Sequence, residues 1–132
     1  MGRLTKALWV LLPYILFVHL AMTQDWTLWE GAQGAPRLRA QFRDKDQNAR
    51  NRIAAVEVEV QNVWLNYPNP VRQQGIQAAV LEYRLDSCPT ILTTETRLRF
   101  ANLKSGAHTI NVHLVAGNRI VSPDARLQVN IP

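Results

Sequence analysis

Residues Ala79–Val115, AVLEYRLDSCPTILTTETRLRFANLKSGAHTINVHLV, carry the alternation from which the fold is read. Leu81, Tyr83 and Leu85 alternate with polar neighbours, which predicts a strand over Ile76–Leu85 with those three residues on its core face. Asp86-Ser87-Cys88-Pro89 is a run of turn-forming residues. Ile91–Thr94 reads as a short β-branched strand, and Arg97–Phe100 as another with Leu98 and Phe100 inward. Asn102–Gly106 forms a corner in which Leu103 plugs the core and Gly106 takes a backbone conformation that other residues resist. Thr109–Val115 then points Ile110, Val112 and Leu114 inward and Thr109, Asn111 and His113 outward.

Outward from this stretch the same period recurs. Downstream, Gly117-Asn118 turns and Ser122-Pro123-Asp124 breaks, after which Leu127, Val129 and Ile131 alternate with Gln128 and Asn130. Upstream, Val56, Val58 and Val60 alternate with Glu57, Glu59 and Gln61. After Gln61 the phase slips by one residue, which predicts a β-bulge, with Trp64 between Val63 and Leu65. Tyr67-Pro68-Asn69-Pro70 stops this strand, and a polar turn ends at Gly75. Glu57 and Glu59 share one face and read as solvated. Arg37–Arg43 alternates strictly, Leu38, Ala40 and Phe42 against Arg37, Arg39 and Arg43, as an edge strand does when arginines block further pairing. Asp44–Asn51 reads as a polar loop, and residues 25–36, broken by Gly31, Gly34 and Pro36, as a linker. Short strands separated by turn signals predict an all-β sandwich.

Tyr83-Arg84-Leu85-Asp86, then Phe100-Ala101-Asn102-Leu103-Lys104-Ser105-Gly106-Ala107-His108-Thr109-Ile110-Asn111-Val112, then Gly117-Asn118, resembles bacterial Ig-like and fibronectin-III-like domains. It is similar in particular to small exported bacterial proteins built from one such domain. The resemblance covers about residues 76–132. It implies a hairpin, a corner and a strand, and brings no catalytic residues with it. It also implies a corner position for His108, hydrogen-bonded to nearby backbone. Ser87-Cys88-Pro89 departs from the pattern, which usually continues with Gly after the Asp.

The chain has 132 residues, of which 47% are hydrophobic and 19% charged, a composition that supports one packed domain. The net charge of +5 is local. Residues 37–52 hold six basic and two acidic side chains, a balance of +4, while residues 1–36 are neutral and residues 53–132 carry +1. Such a segment, without interleaved aromatics or a sustained basic helix, does not predict nucleic-acid binding. Arg3 and Lys6 precede Ala7–Met22, 16 residues that are uncharged apart from the titratable His19. A basic start before an apolar run shorter than the ~20 residues of a membrane span predicts a signal peptide. The absence of an A-x-A triplet leaves an uncleaved signal anchor open, with Trp26 and Trp29 at the interface. The expected organisation is therefore a signal peptide or anchor over 1–23, an Arg-rich linker with an edge strand over 24–52, and an Ig-like β-sandwich over 53–132.

Chemistry is sparse. His108 and His113 lie five apart on one strand and point to opposite faces, so they do not share a metal. Cys88 is alone, a free thiol or one half of an intermolecular disulfide. No phosphate-cradling loop, zinc spacing or nucleophile elbow occurs. We therefore expect no enzyme activity, no catalytic residues, no cofactor and no metal. Trp64 reads as a core aromatic or a ligand-stacking platform. Trp64, His113, Arg37, Arg39 and Arg43 are the candidate interaction residues. The expected function is an exported binding or structural module of the cell envelope, periplasmic or extracellular, whose partner is another envelope protein or a surface polymer. The alternatives are a membrane-anchored subunit touching acidic lipid through residues 37–52 and, more weakly, a small metal- or thiol-dependent enzyme.

Overall fold

A computed structural model describes residues 26–32, 34–67 and 76–132. The apolar run expected to be a signal segment, the prolines expected to stop the second long strand, and the polar turn ending at Gly75 lie outside the described residues. Within them the chain is β throughout, apart from one short helix. The strands are β1 Arg37–Arg43, β2 Ala54–Gln61, β3 Val63–Leu65, β4 Gln77–Leu85, β5 Ile91–Thr93, β6 Arg97–Phe100, β7 Gly106–Ala116, β8 Arg119–Ile120 and β9 Ala125–Ile131.

They form two sheets. The small one is antiparallel in the order β1-β2-β6, with Ala55 opposite both Arg43 and Arg99, and Glu57 opposite both Gln41 and Arg97. The large one is centred on the antiparallel pair β4–β7. β3 and β5 follow one another along the far side of β4, and β8 and β9 do the same along the far side of β7. The period-two pattern explains the interior. Leu81 and Tyr83 of β4 and Ile110, Val112 and Leu114 of β7 are fully buried, and they share one core with Leu38, Ala40 and Val56 of the small sheet. Each such aliphatic side chain contributes on the order of 1.5–3 kcal/mol by leaving water.

Three sequence expectations change. The phase slip after Gln61 is a change of sheet and not a bulge: Asn62 adopts φ 60°, and β3 leaves the small sheet to run parallel to β4. Asn tolerates that conformation, and its Nδ2 donates to the Ala35 carbonyl at 3.1 Å. A bulge and a sheet change both shift the pattern by one residue, so periodicity does not separate them. Secondly, the loop expected over Asp44–Asn51 contains a helix, α1 Lys45–Arg50. It is anchored by Asn48 Nδ2 donating to the Arg43 carbonyl at 2.8 Å and by Ala49, which enters the core. Six residues are too few to display a helical period.

The third change is in the segment read as a linker. Residues 26–30 run antiparallel along the outer edge of β1. The Thr27 N–H donates to the Ala40 carbonyl, and Glu30 and Leu38 exchange backbone bonds at 2.8 and 3.2 Å. Gly31 turns the chain back toward β1 with φ 123°, where an added Cβ would stand 2.8 Å from the Pro36 carbonyl oxygen. The edge of β1 is thus covered by chain as well as guarded by arginines.

Candidate functional site

On the outer face of the small sheet, the charged residues that looked solvated are engaged with one another. Arg39 donates from Nε and Nη2 to Glu59 Oε2 at 3.0 and 2.7 Å. Its guanidinium also lies between two indoles, 4.8 Å from the Trp26 ring centre and 4.6 Å from that of Trp29. Arg37 stands over Trp29 at 5.5 Å, its Nε buried without a hydrogen-bond acceptor among the described residues. The rings sit where they do because Thr27 and Glu30 dock on the β1 edge and alternation turns Arg37 and Arg39 toward the same side. Glu57 reaches Arg97 at 3.4 Å and Arg43 at 3.9 Å and accepts from Gln41 Nε2 at 3.2 Å. Of the three arginines named from the sequence, Arg37 and Arg39 belong to this stack. Arg43 stands apart at the end of the strand.

The large sheet turns a different surface outward. Trp64 is not a core aromatic: it is 50% exposed and paired across the ladder with Ala78. Val80, two residues along β4 on the same face, pairs with Val115, which pairs with Ile120 of β8 at 61% exposure. Register therefore places Trp64, Ala78, Val80, Val115 and Ile120 as one apolar tract, with Leu92 of β5, 52% exposed, one row further along. In that next row sits His113. Its Nδ1 lies 2.6 Å from Asp124 Oδ1 and its Nε2 3.2 Å from Glu82 Oε1, the latter without hydrogen-bond alignment. Its side chain is only 14% exposed, so this outward-pointing candidate interaction residue is flanked by two carboxylates.

At the end of β4 a latch joins the turn to the corner before β7. His108 Nδ1 lies 2.6 Å from Asp86 Oδ2 and Nε2 lies 2.6 Å from the Lys104 carbonyl oxygen. A carbonyl and an ionised carboxylate only accept, so this arrangement is satisfied by a ring with protons on both nitrogens and favours the imidazolium form of His108. The Lys104 carbonyl and then Asp86 hold its pKa above the usual histidine value. Desolvation pushes the Asp86 carboxyl up, but the Thr109 N–H and His108 outweigh it and hold it below the ordinary range. Asp86 itself takes φ 50° and exchanges backbone and side-chain bonds with Thr109. Close by, Tyr83 Oη donates to the Glu95 carbonyl at 2.7 Å, and burial, then Glu95, drives the phenol pKa well upward.

Cys88 is exposed in the turn, and His108 is fully used by the latch. Among the described residues no group of three His, Cys, Asp or Glu side chains is placed to hold a metal ion. Trp26 and Trp29, read from the sequence only as interfacial aromatics of a signal anchor, stack on Arg37 and Arg39, while Leu92 and Ile120 were missed. The three-residue spacing of the first two and the strand parity of the others are visible in the sequence, but which face meets solvent is decided by sheet pairing. No family model, curated protein or solved structure matches the chain.

Proposed function

We propose that the chain is an exported, non-catalytic Ig-like β-sandwich module that binds another envelope protein or a surface polymer through the outer face of its large sheet. The Ig-like reading is supported by strand grouping. β1, β2 and β6 in one sheet, against β4, β7 and β9 in the other, follow the A-B-E and C-F-G division of such sandwiches. β3 has no counterpart in that scheme. Export is supported by the basic residues ahead of Ala7–Met22.

The observation that carries the binding role is the tract from Trp64 to Ile120. A half-exposed indole at one end of the tract and an exposed isoleucine at the other are the kind of anchors that protein interfaces bury. Lipid contact through residues 37–52 has less support, because Arg39 is already bound by Glu59 and two indoles, leaving Arg43, Lys45, Arg50 and Arg52 as the exposed cations of that segment. A thiol- or metal-dependent activity has still less, because both ring nitrogens of His108 are taken up by Asp86 and the Lys104 carbonyl. Affinity isolation of the tagged full chain from its native envelope tests the reading. A Trp64→Ala, Ile120→Ser double variant with unchanged melting temperature should lose the species that the parent retains. Identical recovery from both would overturn it.

A further inference from the structure

The small sheet ends in a notch that the stack around Arg39 does not fill. Arg43, Ala55 and Arg99 are directly opposite one another on β1, β2 and β6, so a methyl group separates two arginines. Adjacent strands lie ~4.8 Å apart, which puts the backbones of those arginines roughly 10 Å apart and leaves space between their side chains. Arg97, two residues before Arg99 on the same face, closes one side, and Asp44 and Asn48 close the other. The cleft has a volume of about 410 Å³. Asn48 is held by its bond to the Arg43 carbonyl, which fixes the far wall to the end of β1.

Three guanidinium groups meet here with few acceptors. Glu57 is shared between Arg97 at 3.4 Å and Arg43 at 3.9 Å, longer than the ~2.7–2.9 Å of a strong charge-assisted bond. Arg99 has no carboxylate within 4 Å among the described residues. The 2.7 Å contact of Arg39 with Glu59, one row further on, shows how a satisfied arginine of this face looks. The lining carries three positive groups, Arg43, Arg97 and Arg99, and one negative group, Asp44, so a dianion gains more than a monoanion. Forked N–H donors on both sides match the oxygens of a tetrahedral centre.

We infer that this notch is a binding site for a tetrahedral oxyanion, a phosphate or sulfate group, gripped by Arg43, Arg97 and Arg99 over the methyl of Ala55. Glu57 draws Arg43 and Arg97 toward itself and competes with the ligand for them. The notch lies on the opposite side of the molecule from Trp64 and Ile120, so it stands independently of the protein-binding reading.

NMR titration of the full chain with inorganic sulfate and phosphate, following the arginine Nε–Hε signals, tests the assignment. Arg43, Arg97 and Arg99 should shift together along one saturating curve while Arg119 and Arg126 stay still. Arg99→Ala should weaken binding by ~5-fold, the loss of one exposed charge-assisted contact, and Arg99→Lys by less. Glu57→Gln should strengthen it by ~3-fold or more, whereas Glu59→Gln, the same change of net charge one row away, should leave it unaltered. Vesicles of phosphatidylglycerol against phosphatidylcholine identify the source. Adsorption lost in an Arg97→Ala, Arg99→Ala variant places the phosphate on a lipid, and adsorption independent of them places it on a soluble or polymeric ligand. Shifts that fail to saturate, or that spread over all arginines with equal response of the two Glu variants, overturn the site.

Discussion

Trp29 lies along the covered edge of β1 with Arg37 and Arg39 over its ring, whereas Trp64 stands half-exposed on β3 with only small or branched residues beside it. The first indole is placed by backbone bonds from Thr27 and Glu30, and its π face is occupied by the guanidinium groups of Arg37 and Arg39, the latter tied to Glu59. The second is placed by a three-residue strand that has just changed sheets, and nothing charged among the described residues stacks on it. The same side chain thus closes one surface and opens the other. Cationic residues that suggest a binding face in one dimension become structure once alternation brings them opposite carboxylates and indoles. The apolar residues left outside are the better candidates for recognition.

Stability measurements separate the two roles. Trp29→Ala removes a cation–π partner from two arginines and uncovers the edge of β1, and should lower the unfolding free energy by about 2 kcal/mol in urea denaturation. An effect below about 0.5 kcal/mol would mean that the stack is ornamental. Tyr83→Phe leaves the Glu95 carbonyl without its donor beside a fully buried ring, and should cost about 1.5 kcal/mol by the same assay.

His108→Asn tests the latch and should cost about 1 kcal/mol, modest because Asp86 is partly exposed and screened. Its pH dependence has a fixed sign. The His108 pKa is raised on folding, so its contribution is complete below the ordinary value of 6.5 and fades as pH rises through the folded value. The Asp86 pKa is lowered, so its contribution is present above the ordinary 3.8 and is lost as pH falls through the folded value. The difference between parent and variant should accordingly be larger near about pH 5.5 than near about pH 8.5. A difference that grows with pH would contradict an imidazolium latch. Smallest of all, Trp64→Ala should change stability by no more than about 0.5 kcal/mol, since the indole rests on a sheet face and not in the core.

Much of this architecture is legible in the chain. Leu81, Tyr83, Ile110, Val112 and Leu114 announce their burial by alternation, and Leu103 and Gly106 announce the corner. What the pattern does not contain is partnership between strands. The Arg39–Glu59 pair joins residues 20 apart, and the two arginines facing across Ala55 come from β1 and β6. Asn62 hides a sheet change behind a phase slip, and α1 hides in a polar run because a single buried Ala49 is its only apolar signal. The candidate surface at Ile120 was hidden for a related reason: a two-residue strand after a Gly-Asn turn has no period to read.

The central claim is that the macromolecular partner is recognised by the outer face of the large sheet and not by the Arg39–indole stack of the small one, the oxyanion notch at Ala55 being a separate site. Photo-crosslinking from single positions of the full chain in cells that naturally produce it tests this most directly. A photoreactive residue at Ile120 or Leu92 should give a discrete adduct of defined mass, and one at Glu59 or Gln61 should give none. Absence of an adduct from Ile120 and Leu92, or the same adduct from both faces, would contradict the account.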